Sequence, residues 1–295
     1  MTGSSGRGSR VHESELRASA ARACGERFVL TSLLLGVLVG AVLGLTGAGG
    51  GILAVPALVV GLGWSMQQAA PVALIAVAGS AALGAIEAFR KGLVRYRAAA
   101  LMALSGIPFT WLGVTLAHAT PQRVLTTIFA ALLLLVATRL LRQALGAGTA
   151  EAQADTALAR MDPATGRLRW NGPTALLLAG IGSLTGLATG LLGVGGGFVI
   201  VPLLRKFTDV PMHGIVATSL LVIAVVGAGG VVAALLHGAV LPVGLTLRFT
   251  VATAAGMLAG RGLSHRLSAR QVQVGFATVL SIVAIGMIGK AAANL

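Results

Sequence analysis

Ten apolar segments, separated by short polar or charged stretches, follow one another along the chain. They cover residues 28–46, 50–63, 66–89, 98–118 and 122–141 in the first half, and 173–189, 194–207, 212–236, 241–263 and 270–291 in the second. A membrane-spanning helix needs about 20 apolar residues, so most of these segments predict spanning helices. The segments 50–63 and 194–207 are short for a span, and we expect each to form a hairpin with the segment before it.

The polar stretches divide the chain into four parts. We expect a polar N-terminal tail at 1–27, a membrane repeat at 28–141, a linker at 142–171 and a second membrane repeat at 172–292. Arginines ahead of the apolar run 28–43 also resemble a secretory signal. Because no small-residue cleavage site follows that run cleanly, we expect the segment to be retained.

The two halves share a glycine-rich motif. The run GLTGAGGGILAVPAL at residues 44–58 returns 146 residues later as GLLGVGGGFVIVPLL at residues 190–204, with nine of fifteen positions identical. At the same shift Met66 matches Met212 and Gly92 matches Gly238. The second half is therefore a divergent copy of the first. Paired, interrupted apolar segments in two halves of a membrane protein indicate a transport site.

An odd number of segments in each copy predicts that the copies insert with opposite orientation. Basic residues collect in cytoplasmic loops, and placing both termini outside puts 14 of the 22 Lys and Arg residues on inside loops. A topology with the tail inside and non-inverted halves scores similarly on charge. We favour inversion because the segment count requires it if every segment crosses.

The composition excludes several classes of protein. The chain is 56% hydrophobic with only 10% charged residues, against about 25% charged residues in a soluble domain. Its net charge of +14 is accompanied by only 4% aromatic residues, which disfavours nucleic-acid binding. It has one cysteine, Cys24, and no His or carboxylate pattern of a metal or catalytic site. We expect no cofactor, no metal and no enzymatic activity. Glu87 is expected to pair locally with Arg90 and Lys91.

The glycine motif predicts an anion site. Irregular backbone at membrane depth survives only where it is buried or lines water, and a helix that begins after the glycines aims free N–H groups and a positive dipole end at the break. Two such breaks facing each other would hold an anion without a charged side chain. The alternative interpretation is close helix packing, since Gly36, Gly40 and Gly44 have the spacing of helix contacts.

The doubled motif with Pro56 and Pro202, followed by the run Ala217–Leu220, resembles the TauE/SafE sulfite exporter family (toluene sulfonate uptake permease group), over residues 28–292. The resemblance implies a bacterial inner-membrane permease for sulfite, sulfonates or related sulfur-containing anions, driven by the proton gradient. One departure is that Val72 and Ala73 occupy the first-half positions of Thr218 and Ser219, whereas family members often keep hydroxyls in both halves.

These arguments define the candidate residues. Candidate substrate contacts are Thr46, Gly47, Gly49, Gly50, Gly51, Thr189, Gly193, Gly195, Gly196, Gly197, Thr218 and Ser219, with Thr185 given less weight. Pro56 and Pro202 are expected to support the breaks. Candidates for proton coupling or gating are His213, Arg248 and Gln67. The alternative interpretation of each hydroxyl is a hydrogen bond to a carbonyl of the preceding turn of its own helix. The alternative for the coupling candidates is a position at the membrane interface, which is also expected for His118 and His237.

The sequence as a whole predicts an all-α polytopic membrane protein with two inverted repeats of five apolar segments each and glycine-broken first hairpins. We expect a transporter of a small sulfur-containing anion, coupled to protons, with alternating access in a lipid bilayer. An anion channel of the same fold, an intramembrane enzyme and a membrane anchor for a partner protein are the alternatives. The oligomeric state is left open, a homodimer included.

Overall fold

The structure, a computed structural model, describes residues 29–47, 50–145, 170–264 and 268–293. These residues form ten α-helices and one 3-10 turn at Gly50–Leu53. The helices are α1 Val29–Thr46, α2 Ala54–Gly61, α3 Met66–Arg90, α4 Tyr96–Ala119, α5 Gln122–Ala144, α6 Gly172–Leu192, α7 Gly197–Phe207, α8 Met212–Leu236, α9 Val243–Ser264 and α10 Ala269–Ala293. The predicted tail at 1–27, Gly49 and most of the linker lie outside the described residues.

Eight of these helices are long and apolar enough to cross a bilayer, and α2 and α7 are the two that are not. The prediction of an all-helical, multi-pass membrane protein is therefore confirmed. Each helix begins and ends within four residues of the corresponding apolar segment. The largest difference lies at the first glycine motif, where the 3-10 turn occupies Gly50–Leu53 and α2 begins only at Ala54. At the second motif α6 continues to Leu192 and α7 begins at Gly197.

Rows of glycine let two pairs of helices pack with their backbones in close contact. Gly36, Gly40 and Gly44 of α1 face α9, and a Cβ on Gly40 or Gly44 would collide with the α9 backbone. Gly186 of α6 likewise lies against the carbonyl of Gly106 in α4. Small residues let membrane helices approach this closely. The packing interpretation of Gly36, Gly40 and Gly44 is confirmed, and α6 carries an equivalent row at Gly182, Gly186 and Gly190.

Helices α3 and α8 form the centre of the bundle. They have the largest buried fractions of the eight long helices and they pack on each other. Gly84 of α3 lies beside Leu220 of α8, whereas Gly230 of α8 lies beside Leu74 of α3. The two central helices, which correspond in the duplication, therefore run antiparallel.

The helix directions give the bundle two chemically distinct ends. At one end α3 terminates and α8 begins, with Gly214 close to the carbonyl oxygen of Leu93. This basic end carries Arg90, Lys91, Arg95, Arg97, Arg205, Lys206 and Arg261. At the opposite end α3 begins while α4 and α8 terminate. This histidine end carries Gln67, His118 and His237.

Candidate functional site

The first glycine motif interrupts the chain between α1 and α2. Gly47 has a φ of 81°, in the left-handed region that favours glycine, and lies against Val216 of α8. Gly50 and Gly51 are buried in the 3-10 turn that leads into α2. Pro56 occupies the first turn of α2, where its missing N–H needs no partner. The predicted helix break at the first motif is present in the structure.

The second glycine motif interrupts the chain between α6 and α7. Gly193, Gly195 and Gly196 have φ values of 73°, 70° and 67°, and all three are buried. The first intrahelical hydrogen bonds of α7 run from the amides of Val199 and Ile200 to the Gly196 oxygen. The amides of Gly197 and Phe198 therefore have no partner within α7, and the positive end of the helix dipole lies at this break. Pro202 lies inside α7.

The two breaks meet at the centre of the bundle. A Cβ on Gly51 would lie 2.9 Å from Val77 Cγ1, and a Cβ on Gly195 would lie 2.9 Å from the same atom. Gly195 also faces Ile223 of α8, which corresponds to Val77 in the duplication. Val77 and Ile223 lie near the midpoints of α3 and α8. Both short helices thus begin near the middle of the long helices.

Two buried threonines flank the second break. Thr185 and Thr189 of α6 have no exposed surface, and within the described residues neither hydroxyl has a hydrogen-bond partner. A Cβ on Gly196 would collide with Thr185 and would lie 2.9 Å from Thr189 Oγ1. A buried hydroxyl without a partner is unfavourable by about 1–3 kcal/mol, so such groups call for an explanation. Other atoms of this kind belong to Ser80, Gln122 and Thr250.

The first break lacks such hydroxyls. The positions that correspond to Thr185 and Thr189 at the 146-residue shift are Val39 and Leu43, and both are fully buried. The two breaks are therefore alike in backbone and different in side-chain chemistry. Among the described residues, the helix before the second break carries two unpartnered hydroxyls, and the corresponding positions before the first break are apolar.

A small cleft leads from the histidine end toward the second break. Its volume of about 30 Å³ has room for roughly two water molecules. Gln67 and His118 border it, and Leu74, Gly190, Leu192 and Ala234 form part of its mostly apolar wall. A Cβ on Gly230 would lie 3.1 Å from a methyl group of the wall residue Leu74 and 3.8 Å from the methyl group of Thr189. Thr189 therefore lies close behind the wall of the cleft, and its neighbour Gly190 is part of that wall.

The other candidate hydroxyls are engaged within the chain. Thr46 donates to the Val42 carbonyl at 2.8 Å, and Ser219 donates to the Ile215 carbonyl at 2.8 Å. Thr218 accepts a hydrogen bond from the Arg95 amide at 3.1 Å. Thr218 thereby fastens the α3–α4 loop to α8 at the basic end.

The three candidates for proton coupling or gating lie on three different helices. His213 is exposed at the start of α8, at the basic end, and Arg248 is exposed in the second turn of α9. Gln67 is the member of this set that borders the cleft. Among the described residues no group of three or more His, Cys, Asp or Glu side chains could hold a metal ion.

Two side-chain clusters were missed by the sequence reasoning. Glu87 bonds Lys91 at 2.6 Å, as expected, but it also bonds Arg261 of α9 at 2.6 Å. At the other end His118 stacks on His237 and Trp111 packs edge-on against His237. The duplication could have drawn attention to His237. This residue corresponds to Lys91 of the Glu87 cluster, and each of the two precedes a glycine with positive φ.

Eight helices are long enough to span a membrane, and the first long helix of each half forms a glycine-broken hairpin with a short helix. This is the architecture of a membrane transporter. The chain belongs to the family described as Sulfite exporter TauE/SafE, which it matches over residues 32–287. The family resemblance seen in the motif is thereby confirmed.

Two relatives from Xylella fastidiosa carry the name "Probable membrane transporter protein". The protein of strain 9a5c is 34% identical over 193 residues, which is 65% of this chain and 68% of the relative. The protein of strain Temecula1 is 32% identical over 266 residues, which is 88% of this chain and 95% of the relative. No solved structure matches the chain significantly.

Proposed function

We propose that this membrane transporter is a secondary permease of the bacterial inner membrane for sulfite, organosulfonates or related small anions, coupled to protons. The second glycine break holds the anion, with Gly193, Gly195, Gly196, Gly197 and Thr189 as contacts and Thr185 as an additional donor. The first break, at Gly47, Gly50 and Gly51, completes the backbone lining at the centre of the bundle.

One observation carries this proposal: two fully buried hydroxyls without partners face the N-terminus of α7. Hydroxyls and backbone amides are both donors, and the oxygens of an ionised sulfonate are acceptors. A helix N-terminus favours negative charge without a cationic side chain. The set of free donors is therefore complementary to a small oxyanion.

Alternating access about two inverted repeats is the proposed mechanism. The antiparallel contact of α3 with α8 supports inversion, because corresponding helices of inverted repeats must run in opposite directions. The pairing of α1 with α9 and of α6 with α4 supports a two-fold relation between the halves, since each pair turns into the other when the halves are exchanged. The cleft enters from the histidine end, and in an alternating cycle the anion leaves at the basic end.

The basic end is proposed to face the cytoplasm. It carries the arginines and lysines of the α3–α4 loop and of the α7 terminus, and basic loops remain on the cytoplasmic side. The histidine end then faces the periplasm. This orientation places the cleft on the side from which protons enter down their gradient.

Transport by purified protein in proteoliposomes tests the proposal. Sulfite, sulfoacetate, thiosulfate and acetate are offered with and without a pH gradient, and flux of a sulfur oxyanion with substrate-dependent proton movement is expected. Gly196→Leu should abolish flux because its side chain would collide with Thr185 and press against Thr189 Oγ1, which displaces both hydroxyls from the break. Gly50→Leu, at the equivalent glycine of the first break, is expected to do the same.

Gly180→Leu is the matched control, since Gly180 is an exposed glycine of the same helix α6 with open space around it. Membrane insertion and elution as a folded species are checked for all three variants. Normal flux in both Gly196→Leu and Gly50→Leu contradicts the site assignment. Ohmic single-channel currents would favour an anion channel of the same fold instead.

A further inference from the structure

We propose that His118 and His237 form a proton-binding site at the mouth of the cleft, and that a proton bound there is taken up together with the anion. This inference rests on the proposed function and deepens it, because it assigns the coupling proton to named atoms. Nothing in the sequence reasoning placed coupling at these two residues.

The hydrogen bonds of the pair identify the ring nitrogen that is free to bind a proton. His118 Nδ1 lies 2.9 Å from the Val114 carbonyl, and His237 Nδ1 lies 2.8 Å from the Ala233 carbonyl. A carbonyl oxygen only accepts, so both Nδ1 atoms carry hydrogen. The lone pair of each neutral ring is therefore on Nε2, and Nε2 is the atom that takes up a further proton.

The surroundings of His237 suit its protonated form. Thr115 Oγ1 lies 3.4 Å from His237 Nε2, while its own hydrogen is donated to the Trp111 carbonyl at 3.0 Å. With its hydrogen on the Trp111 carbonyl, the Thr115 oxygen can accept a hydrogen bond from a protonated Nε2, and when the ring is neutral the hydroxyl can turn and donate to Nε2 instead. Thr115 can therefore follow the change of charge of His237 without losing the contact.

Electrostatics limit the pair to one proton and make that proton depend on an anion. The two rings stack with centroids 5.3 Å apart, so a second positive charge is disfavoured. Both carboxylates that the structure describes, Glu87 and Asp209, lie at the basic end. An anion bound at the second break, whose Thr189 lies close behind the cleft that His118 borders, is the counter-charge that the pair lacks.

The neighbouring elements leave this role to the histidines. Apart from the pair, α4 and α8 bring no ionisable side chain to the histidine end, and α3 contributes the neutral Gln67. The first turn of α5 carries Arg123, and the second turn of α9 carries Arg248. Both of these are permanent cations, whereas imidazole changes its charge between about pH 5 and 8.

The coupling is reciprocal by thermodynamic necessity. If the anion favours protonation of the pair, then protonation favours anion binding by the same factor. The corresponding position at the basic end, Lys91, is held in an ion pair with Glu87. The duplicated scaffold therefore offers a titratable group at one end and a fixed charge at the other.

The test measures anion affinity against pH in nanodiscs. Thiosulfate and methanesulfonate are the probes, because both stay ionised between about pH 5.5 and 8 and only the protein titrates. For the unaltered protein we expect the Kd to rise with pH, up to tenfold per pH unit for one linked proton. Calorimetry in buffers of different ionisation enthalpy should show up to one proton taken up per anion bound.

His118→Gln combined with His237→Gln should make the Kd independent of pH over this range and abolish proton uptake. His213→Gln, an exposed histidine at the basic end, is the control and should keep both. A pH dependence that survives in the double variant overturns the proposal. Should that variant not fold, absence of proton uptake by the unaltered protein overturns it equally. Failure of the unaltered protein to bind either probe instead removes the proposed function on which this inference rests.

Discussion

The unpartnered hydroxyls at the second glycine break give a prediction in which binding and stability change independently. Thr189→Val replaces the hydroxyl by a methyl group of nearly the same size. Thr189 is fully buried, and its oxygen has no partner within the described residues. The substitution therefore removes a donor that the anion is proposed to use and no hydrogen bond that the folded chain itself makes.

The two magnitudes follow from this geometry. A hydrogen bond to a charged ligand is worth about 1.5–3 kcal/mol, so Thr189→Val should raise the Kd for the anion roughly 10- to 150-fold. Stability should not fall, because an unpartnered buried hydroxyl is itself unfavourable by about 1–3 kcal/mol. The unfolding temperature should stay unchanged or rise by about 2–4 °C for each kcal/mol gained. Thr185→Val should behave in the same way.

Equilibrium binding in nanodiscs and thermal unfolding of the same samples measure both effects. Thr253→Val is the matched control, since Thr253 is also fully buried but donates to the Phe249 carbonyl at 2.7 Å, in α9. This control should bind the anion with unchanged affinity. If Thr189→Val and Thr185→Val both bind the anion normally, the hydroxyls are not ligands and the reasoning fails. A large loss of stability in either variant would show that the hydroxyl has a structural partner.

Three further predictions concern contacts between helices. Gly186→Ala should lower the unfolding temperature, because its Cβ would collide with the Gly106 carbonyl and overpacking costs about 1–3 kcal/mol. Gly180→Ala is the control and should not lower it, since Gly180 has open space around it. Glu87→Gln removes a partly exposed bridge to Arg261, and it should lower stability by about 1 kcal/mol or less, with a smaller effect at high salt. Thr218→Val should speed amide exchange at the α3–α4 loop and leave anion affinity unchanged; a loss of affinity as large as that of Thr189→Val would restore the role implied by the family resemblance.

The helices could be predicted from the chain because apolar runs of spanning length have few alternatives in a bilayer. The helix ends at the second motif were harder. In the sequence, Gly190 looks like part of the glycine-rich break. In the structure it instead continues α6 and packs against the α4 backbone. The helix ends instead where Gly193 adopts a left-handed conformation. A glycine that permits close packing and one that ends a helix look the same in a sequence.

The state of each hydroxyl could not be predicted. Thr46, Thr189 and Ser219 all follow a helical turn whose carbonyl four residues earlier is within reach, and a threonine can adopt either of two rotamers in a helix. Thr46 and Ser219 use that carbonyl and Thr189 does not. The choice depends on what packs against the side chain, and that is set by residues distant in sequence. The hydrogen bond from Arg95 to Thr218, across 123 positions, has the same origin.

Divergence between the two copies explains how a symmetric scaffold could perform a directional task. Duplicated backbone provides two breaks that meet at Val77 and Ile223. In the proposed alternating-access cycle, the two ends would exchange roles as one repeat moves against the other. Side chains then break the equivalence, because Thr185 and Thr189 stand where the first half has Val39 and Leu43. If the anion is held by those hydroxyls, it stays bound to one half throughout the cycle, and movement of that half relative to the other changes the end from which it is reached. Coupling then requires a titratable group at one end only, which is the arrangement that the histidine pair opposite the Glu87 ion pair provides.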